Sequence, residues 1–452
     1  MKLDDTPRAR SKNLDVLAEF EKAETKNAAN FVVIGMLPYS CWKGKADWLG
    51  HVDAGKSTLM GRLLYDLKVI DQRTIDRYKK EAEKMGKSSF ALAWVLDQGS
   101  EERARGVTID IATNKFETEK TAFTILDAPG HRDFIPNMIA GASQADFAVL
   151  VIDASTGSFE SGLKGQTKEH ALLVRSMGVQ RIITAINKLD TVSWSEDRFN
   201  EIKTQISSFL TTAGFLAKNL AFIPCSGLHG DFITRSSTEH AASWYKGPTL
   251  VEELDNSEPI HRALTKPLRL TISDVFRGGI QNPLSISGRI EAGSLQNGDA
   301  LLIQPSSQKC FVKALELDNV GVDWAVAGQN VTIHLSGIEE QYVKVGDVVS
   351  GPSSPIQNVK ELTAKVLAFE VLVPMSVEVL RGRLSVPGKI TGILGVLDKS
   401  TGEVVGRKKV RVVKPGQLAR VKVELERSVP LEAPGRIVLR SGGETVAAGL
   451  LE

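Results

Sequence analysis

The sequence has little of what marks secreted or membrane-spanning proteins. Its three cysteines, Cys41, Cys225 and Cys310, are odd in number and too far apart for metal-ligand spacing, which indicates a reduced cytosolic compartment. The most apolar early run, Phe31–Leu37, is far shorter than the roughly 20 residues that cross a bilayer. Residues 1–30 are polar and contain no signal-peptide core. We therefore expect a soluble, cytoplasmic chain with no membrane partner.

Neither sign of charge dominates the composition. Lys and Arg number 56 against 54 Asp and Glu, a formal net charge of +2, whereas proteins that coat nucleic acids are strongly basic. Residues 356–452 carry 16 basic against 10 acidic side chains, so this end has a net charge of +6 and the remainder −4. We therefore expect no DNA partner, and we expect basic surface to concentrate at the C-terminal end.

Hydrophobic patterning divides the 452 residues into regions, and the length predicts two to four domains. Residues 1–30 have apolar positions at helical spacing, which fits either a short amphipathic helix or a partly ordered tail. In residues 31–255, continuous apolar runs alternate with helical stretches, which predicts an α/β domain with a parallel-rich sheet. Residues 256–352 and 356–452 show short alternating segments between Gly and Asn turns, which predicts two all-β barrel domains. The strands expected in the last domain are Leu362–Glu370, Val410–Val413, Leu418–Leu425 and Gly435–Leu439.

A phosphate-binding motif follows the first apolar run. Residues 50–57 (GHVDAGKS) match the pattern G-x-x-x-x-G-K-[ST], whose glycines let backbone N–H groups converge on phosphate oxygens at a helix N-terminus. Lys56 is predicted to reach the β- and γ-phosphates, and the Ser57 hydroxyl to bind Mg²⁺. The nucleotide contacts predicted in this segment are Gly50, His51, Val52, Asp53, Ala54, Gly55, Lys56, Ser57 and Thr58.

Two further segments supply candidates for the metal and the γ-phosphate. Asp127 ends a predicted strand and can hold the metal through water, although a turn or helix-cap role is commoner for such an aspartate. Gly130 can present its N–H to a γ-phosphate with no side chain in the way. Thr108 lies in a charged segment and can close onto Mg²⁺ when the γ-phosphate is present, although its local sequence favours an ordinary strand threonine.

The base of the nucleotide is predicted from two later segments. Asn187-Lys188-Leu189-Asp190 follows an apolar strand, and the Asp190 carboxylate can accept two hydrogen bonds from guanine N1–H and its exocyclic amine. Adenine would offer that carboxylate an acceptor, so the site should reject ATP. The backbone of Ser226, Gly227 and Leu228 can close over the guanine carbonyl oxygen. Four elements in this order, each at a strand end, predict a switch that binds GTP and GDP.

These motifs resemble those of the translational GTPases related to elongation factor 1-alpha, and in detail the HBS-type ribosome-rescue members. The stretches that carry the resemblance are 57–65 (STLMGRLLY), 89–97 (SFALAWVLD), 127–138 (DAPGHRDFIPNM), 151–155 (VIDAS) and 435–440 (GRIVLR). The resemblance covers nearly all of residues 10–452. It implies GTP hydrolysis coupled to delivery of a Pelota-type release-factor-like partner to stalled ribosomes, in no-go and non-stop decay. Class-2 termination GTPases and tRNA-delivering elongation factors share the nucleotide motifs and stay as alternatives.

The resemblance also implies roles for individual residues. His131 matches the catalytic histidine that orients the attacking water when the sarcin–ricin loop of the ribosome engages it, whereas its local sequence alone favours an ordinary loop histidine. Val52 and Val107 match the apolar gate that holds this histidine back, and are otherwise simple packing residues. Asp53 matches an aspartate that organises the phosphates. The barrels would contact the Pelota-type partner and the small ribosomal subunit, consistent with the basic C-terminal end.

One segment departs from the family pattern. In the family the first strand runs directly into the phosphate motif, whereas here residues 36–50 (MLPYSCWKGKADWLG) separate Gly35 from His51. Removing these 15 residues restores FVVIGHVDAGKST, with glycine at both junctions. We hypothesise that the segment is a translated retained intron or a gene-model error; the rival is a genuine surface loop beside the nucleotide. If it disables the site, the chain would be a GTPase-impaired scaffold that binds the ribosome or Pelota.

Deleting residues 36–50 is expected to strengthen guanine-nucleotide binding, because the strand would again fix where the phosphate-binding backbone begins. The measurement is the affinity for a fluorescent GDP with and without the segment. A chain whose segment is scrambled at equal length is the control. Equal affinities in the deleted and intact chains would contradict the prediction.

Overall fold

The computed structural model describes residues 14–23, 27–35, 54–84, 91–96, 112–127, 135–163, 167–257, 262–277, 284–398, 401–405 and 410–452. The chain divides into two compact units. The α/β unit is Lys26–Pro259, and the β unit comprises Met1–Thr25 together with Ile260–Glu452. Across the described ranges, no helix has both the length and the apolar character needed to cross a bilayer.

The α/β unit is built on a six-stranded sheet in the order β2-β3-β1-β4-β5-β6. All neighbouring strands are parallel except the antiparallel pair β2 and β3, so the predicted parallel-rich sheet is confirmed. The strands are β1 (Asn27–Gly35), β2 (Ala112–Glu117), β3 (Thr121–Asp127), β4 (Phe147–Asp153), β5 (Ile182–Asn187) and β6 (Leu220–Pro224). The first strand thus begins at Asn27, four residues before the predicted start of this domain.

Helices account for the rest of the regular structure in the described part of the α/β unit. With the N-terminal helix of the other unit, they are α1 (Val16–Lys22), α2 (Lys56–Asp66), α3 (Gln72–Lys84), α4 (Ile135–Ala142), α5 (Ser158–Leu163), α6 (Thr167–Ser176), α7 (Glu196–Thr212) and α8 (Leu250–Asp255). The long helix α7 begins where the Ser195 side chain accepts a hydrogen bond from the Arg198 N–H. A reciprocal capping box between Thr249 and Glu252 starts α8.

The core of the α/β unit lies around the central strands. Every residue of β4 and of β5 is buried, as expected for parallel strands covered on both faces. Four phenylalanines interlock between neighbouring strands: Phe31 stacks on Phe147 with ring centroids 5.6 Å apart, and Phe116 stacks on Phe123 at 5.0 Å. This packing fixes β1 between β3 and β4, and therefore fixes the sheet edge at which β1 ends.

The β unit contains two antiparallel barrels, as predicted. In the first, β10-β15-β7-β8-β14-β11 form a ring because β10 also pairs with β11, and a separate ribbon joins β9 to β13. The second is a closed barrel in the order β16-β19-β18-β17-β20-β21. The strands of the first barrel are β7 (Arg269–Phe276), β8 (Leu284–Ala292), β9 (Ser294–Gln296), β10 (Ala300–Gln304), β11 (Gln308–Leu317), β12 (Val320–Val322), β13 (Trp324–Val326), β14 (Asn330–Ser336) and β15 (Val348–Ser350). Those of the second are β16 (Asn358–Ala368), β17 (Ser376–Arg381), β18 (Leu384–Leu397), β19 (Leu418–Pro430), β20 (Arg436–Ser441) and β21 (Glu444–Leu451).

The strand predicted at Val410–Val413 is wrong. Only Val413 pairs there, through two backbone hydrogen bonds with Leu372 of 3.0 and 2.9 Å. Six other strands close the barrel among themselves, so no ladder edge is left for a seventh. The alternating sequence pattern therefore reflects one buried valine beside exposed neighbours.

The N-terminal helix α1 packs on the first barrel, which favours the helix over the partly ordered tail. The Phe20 ring meets Trp324 edge to face, with centroids 6.2 Å apart, and the Arg262 guanidinium lies 5.6 Å from the Phe20 centroid. The Leu14 N–H donates to Gln296 Oε1 at 2.9 Å. Both Gln296 and Trp324 belong to the β9–β13 ribbon, so α1 covers that ribbon.

Arg269 joins the two barrels. Its guanidinium donates to both carboxylate oxygens of Glu432, at 2.7 and 3.0 Å, and to the Ser354 carbonyl at 2.9 Å. These hydrogen bonds hold the pKa of Glu432 below its usual value. The fork geometry suits a bidentate pair, so Arg269 orients one barrel on the other within the β unit.

Replacing Asp347 with asparagine is expected to stabilise the β unit above pH 6. Burial raises the pKa of Asp347 to about 6, against a lowering hydrogen bond from the Lys344 N–H. The folded state therefore binds this proton more tightly than the unfolded state. The contribution of this proton to the free energy of unfolding of the wild type is lost as the pH rises from about 4 through 6.

The measurement is the melting temperature of the wild type and of Asp347→Asn between pH 4 and 7.5. We expect Asp347→Asn to melt about 4 °C higher than wild type at pH 7.5 and to lose this advantage at pH 4, which serves as the internal control. A difference independent of pH would contradict the assignment.

Candidate functional site

The helix α2 begins at the carboxyl edge of the central sheet. Its N-cap, Gly55, has φ +80°, a left-handed conformation that favours glycine. A Cβ at Gly55 would also lie 2.7 Å from Asn187 Nδ2, so the position excludes a side chain twice over. Lys56 and Ser57, the next two residues, are each only 6% exposed. The start of α2 therefore directs N–H groups, a lysine and a hydroxyl to one place, as phosphate binding requires.

Ser57 and Asp127 meet beside the start of α2. Asp127 ends β3 and is fully buried, and the Ser57 hydroxyl donates to its Oδ2 at 3.4 Å. The two are 70 residues apart in sequence and meet because β3 runs parallel to β1 in a register that pairs Val33 with Asp127. The predicted pair of oxygen donors is therefore brought together, with the hard-ligand chemistry that Mg²⁺ prefers.

The Asn187 side chain connects the start of α2 to the segment after β6. Its Nδ2 donates to the Ala54 carbonyl at 2.9 Å, and its Oδ1 accepts from the Gly227 N–H at 2.8 Å. Asn187 is 2% exposed, so both of these hydrogen bonds are shielded from water. One amide thus ties together the predicted phosphate and base segments.

Lys188 and Asp190 follow Asn187 in an irregular turn. Lys188 has φ +61°, and its Nζ donates to Asp153 Oδ2 at 2.8 Å, so the end of β4 fixes its direction. Asp190 lies within the 3₁₀ turn Leu189–Val192 and keeps part of its side chain exposed. His229 Nε2 lies 3.8 Å from Asp190 Oδ2. The Asp190 carboxylate is therefore accessible to a ligand, as a base-reading group must be.

Ser226, Gly227 and Leu228 form a tight loop after β6. The buried Ser226 accepts the Gly230 N–H on its carbonyl at 2.8 Å and the His229 N–H on its hydroxyl at 3.3 Å. Leu228 is exposed, and its carbonyl accepts from Arg62 Nη1 of α2 at 3.2 Å. The loop is thus held from both ends beside Asn187 and Asp190.

Several predicted site residues lie outside the described residues. They are Gly50, His51, Val52 and Asp53 of the phosphate motif, Val107 and Thr108, Gly130 and His131, and the segment 36–50 with Cys41. The remaining predicted contacts, from Ala54 to Thr58 and at the ends of β3, β5 and β6, gather at one edge of one sheet. This is where ligands bind in open parallel sheets.

Three residues at this edge were not assigned site roles from the sequence. Asp153, which holds Lys188, ends an apolar strand as Asp127 does, and that position is the signal that would have found it. His229 directly follows the Ser226–Leu228 segment. Gly35 ends β1 against the Lys56 side chain, although the sequence marks it only as one junction of the 15-residue segment.

The chain matches three protein families in succession. Residues 47–265 match the elongation factor Tu GTP binding domain, residues 286–350 match elongation factor Tu domain 2, and residues 361–452 match the GTP-eEF1A C-terminal domain-like family. These matches agree with the P-loop sheet and the two barrels described above.

Similar proteins extend the likeness over almost the whole chain. It is 42% identical to Protein HBS1 of Drosophila melanogaster over 97% of its own length, and it spans 65% of that protein. It is 41% identical to the elongation factor 1 alpha-like protein of Schizosaccharomyces pombe over 89% of its length, spanning 69% of that protein. The Saccharomyces cerevisiae Ski7 GTPase-like domain bound to GTP has the same fold, with a TM-score of 0.77 at 20% identity over 97% of this chain and 100% of that one. The chain therefore belongs to the elongation factor 1-alpha group of translation factors.

Proposed function

We propose that this chain binds and hydrolyses GTP in the cytoplasm and delivers a Pelota-type, release-factor-like protein to stalled ribosomes. The observation that carries the nucleotide part is the double hydrogen bond of Asn187, which joins a phosphate segment to a base segment. The delivery part is supported by the similarity to Protein HBS1. It receives mild support from the net charge of +6 at residues 356–452, where basic side chains would face ribosomal RNA.

The arrangement fits a guanine nucleotide with its phosphates at the start of α2. Lys56 would neutralise the β- and γ-phosphates while the N–H groups of the first helical turn donate to their oxygens. Asp190 would accept from guanine N1–H and from the exocyclic amine, and the Ser226–Leu228 backbone would donate to the guanine carbonyl oxygen. Adenine has an acceptor at N1 and an amine in place of the guanine carbonyl oxygen. The Asp190 carboxylate would therefore face an acceptor and the backbone N–H groups would face a donor, so ATP should bind poorly.

The site also fits Mg²⁺. Ser57 Oγ and Asp127 Oδ2 are 3.4 Å apart, both residues are buried, and both supply the oxygen donors that this ion prefers. When bound, Mg²⁺ would neutralise phosphate charge and hold the β- and γ-phosphates in one geometry. We propose that Ser57 ligates it directly, that Asp127 acts through water, and that Thr108 joins when the γ-phosphate is present.

Hydrolysis would depend on His131 and on the ribosome. We propose that His131 orients the attacking water once the sarcin–ricin loop engages the nucleotide domain, with Val52 and Val107 holding it back before that. Gly130 would donate its N–H to the γ-phosphate, and Asp53 would help to organise the phosphates. Positioning and charge stabilisation would then carry the rate enhancement, as in other phosphoryl transfers.

Other functions use the same nucleotide chemistry. A class-2 termination GTPase would bind a class-1 release factor, and an elongation factor would bind aminoacyl-tRNA, so the partner separates these candidates. A scaffold without GTPase activity would bind the ribosome or Pelota but release no phosphate. The segment 36–50 is the specific observation that favours keeping this last candidate.

Asn187→Ala is expected to weaken GDP binding at least tenfold and to lower the melting temperature of the α/β unit. It removes two buried hydrogen bonds, each worth about 1 kcal/mol, and leaves the Ala54 carbonyl and the Gly227 N–H without that partner. Calorimetric GDP titration and thermal melting check it. Asn219→Ala is the matched control, since Asn219 donates one surface hydrogen bond to the Gln180 carbonyl at 3.3 Å. Equal GDP affinities in the two variants would contradict the proposed role of the Asn187 side chain in holding the nucleotide site together.

The chain loaded with a GTP analogue is expected to retain a Pelota-type protein in a pull-down, and the GDP-loaded chain to retain less. Ribosomes are expected to stimulate phosphate release from the wild-type chain. His131→Ala should keep the partner and lose the stimulation, which separates binding from hydrolysis. Retention of a class-1 release factor or aminoacyl-tRNA in place of the Pelota-type protein would overturn the rescue function. Partner retention without phosphate release from wild type would favour the scaffold.

A further inference from the structure

The helix that begins at the phosphate segment also contacts the loop after β6 that is expected to bind the base. Leu59, Arg62 and Asp66 follow one another on α2 at intervals of three and four residues, which places them on one face of the helix. A Cβ built on Gly227 would lie 3.2 Å from Leu59 Cα, so the loop backbone packs directly on this face. The same helix therefore carries both the expected phosphate contacts and a support for the loop.

Arg62 makes the polar part of this contact. Its Nη1 donates to the Leu228 carbonyl at 3.2 Å, and its Nε lies 2.8 Å from Asp66 Oδ1. The guanidinium carbon lies 5.7 Å from the centroid of the Tyr65 ring. The side chains of Arg62 and Asp66 are only 18% and 12% exposed, so solvent screens the ion pair weakly. Asp66 thus holds the guanidinium in the orientation that reaches the loop.

The loop turns directly against this ion pair at Gly230. Gly230 has φ +87°, a left-handed conformation that favours glycine, and its N–H donates to the Ser226 carbonyl at 2.8 Å. A Cβ at Gly230 would lie 2.8 Å from both Nε and Nη2 of Arg62, and 2.9 Å from Asp66 Oδ2. The turn that closes the loop is therefore shaped to accept the Arg62–Asp66 pair.

Two side chains from different elements hold adjacent residues of this loop. Asn187, at the end of β5, accepts the Gly227 N–H, and Arg62, six residues after Lys56 on α2, donates to the Leu228 carbonyl. We propose that Arg62, oriented by Asp66, is a positioning residue for the guanine carbonyl oxygen. Because α2 is one rigid helix, Arg62 fixes how far the loop backbone lies from the phosphate contacts. This inference rests on the proposed binding of GTP and GDP.

The test measures the affinities of GDP, 6-thio-GDP and IDP by calorimetry. In 6-thio-GDP, sulfur, a weaker acceptor, replaces the carbonyl oxygen, so the ratio of GDP to 6-thio-GDP affinity reports on the loop. IDP lacks the exocyclic amine, so the ratio of GDP to IDP affinity reports on Asp190. We expect wild type to prefer GDP to 6-thio-GDP about tenfold, and Arg62→Met to lower this ratio about fivefold while the GDP to IDP ratio stays within about twofold of wild type.

Arg175→Met is the matched control. Arg175 Nε donates to the Gly214 carbonyl at 3.1 Å, and its guanidinium carbon lies 5.6 Å from the Phe215 ring centroid, the same two kinds of contact that Arg62 makes. Arg175 is in the last turn of α6, before β5 begins, whereas the site lies where β5 ends. Both affinity ratios should therefore match wild type in this variant.

A double variant separates positioning from stability. Arg62→Met leaves the partly buried Asp66 carboxylate without its cation and should lower the melting temperature. Arg62→Met combined with Asp66→Leu removes both charges and should recover that melting temperature, but the Leu228 carbonyl still lacks its donor. We expect the GDP to 6-thio-GDP ratio to stay lowered in the double variant, which can be titrated even if Arg62→Met alone is too unstable.

The outcomes distinguish this inference from the proposed function. Wild type that does not bind GDP would overturn both. Wild type that binds GDP without preferring it to 6-thio-GDP would overturn the inference and the role of the loop, and would leave GDP binding standing. The inference alone is overturned if Arg62→Met leaves the ratio unchanged or lowers both ratios equally. Recovery of the ratio together with the melting temperature in the double variant would also overturn it, since Arg62 would then act through stability only.

Discussion

The nucleotide site depends on one buried amide. Asn187 uses its donor end on the Ala54 carbonyl and its acceptor end on the Gly227 N–H, so the segments before α2 and after β6 cannot shift independently. An amide buried away from water is stable there only if its polar atoms are paired, and each of these partners also needs the amide. Asn187, the last residue of β5, therefore holds in place both the segment expected to bind the phosphates and the segment expected to bind the base. The parallel sheet supplies that reference because its strands end at a common edge.

The sequence predicts this edge well where burial is complete on both faces. Continuous apolar runs indicate β1, β3, β4 and β5, since a buried strand has no polar alternation to blur it. The edge strand β6 is only partly buried and is indicated because its sequence is apolar as well. The edge strand β2, with the sequence ATNKFE, was missed because its outward positions are polar. The false strand at Val410–Val413 has a similar origin, because alternation in sequence carries no information about which strand edges are already paired.

Within the site, residues in linear motifs were predictable and residues that support them were not. Lys188 is part of a recognisable motif, whereas Asp153, 35 residues earlier, becomes its partner only because β4 and β5 are neighbours. Gly35 shows the same limit more sharply. The motif spacing points to Gly50, and only three-dimensional packing reveals that Gly35 lies against the Lys56 stem.

The helix α1 precedes the nucleotide domain in sequence but belongs to the unit that contains the two barrels. Phe20 and Leu14 attach it to the β9–β13 ribbon. The chain therefore enters the β unit, leaves it for the sheet at Asn27, and returns after α8. A fluorophore or affinity tag attached just before Leu14 would report on the barrels, and a probe for the nucleotide domain has to be placed after Asn27.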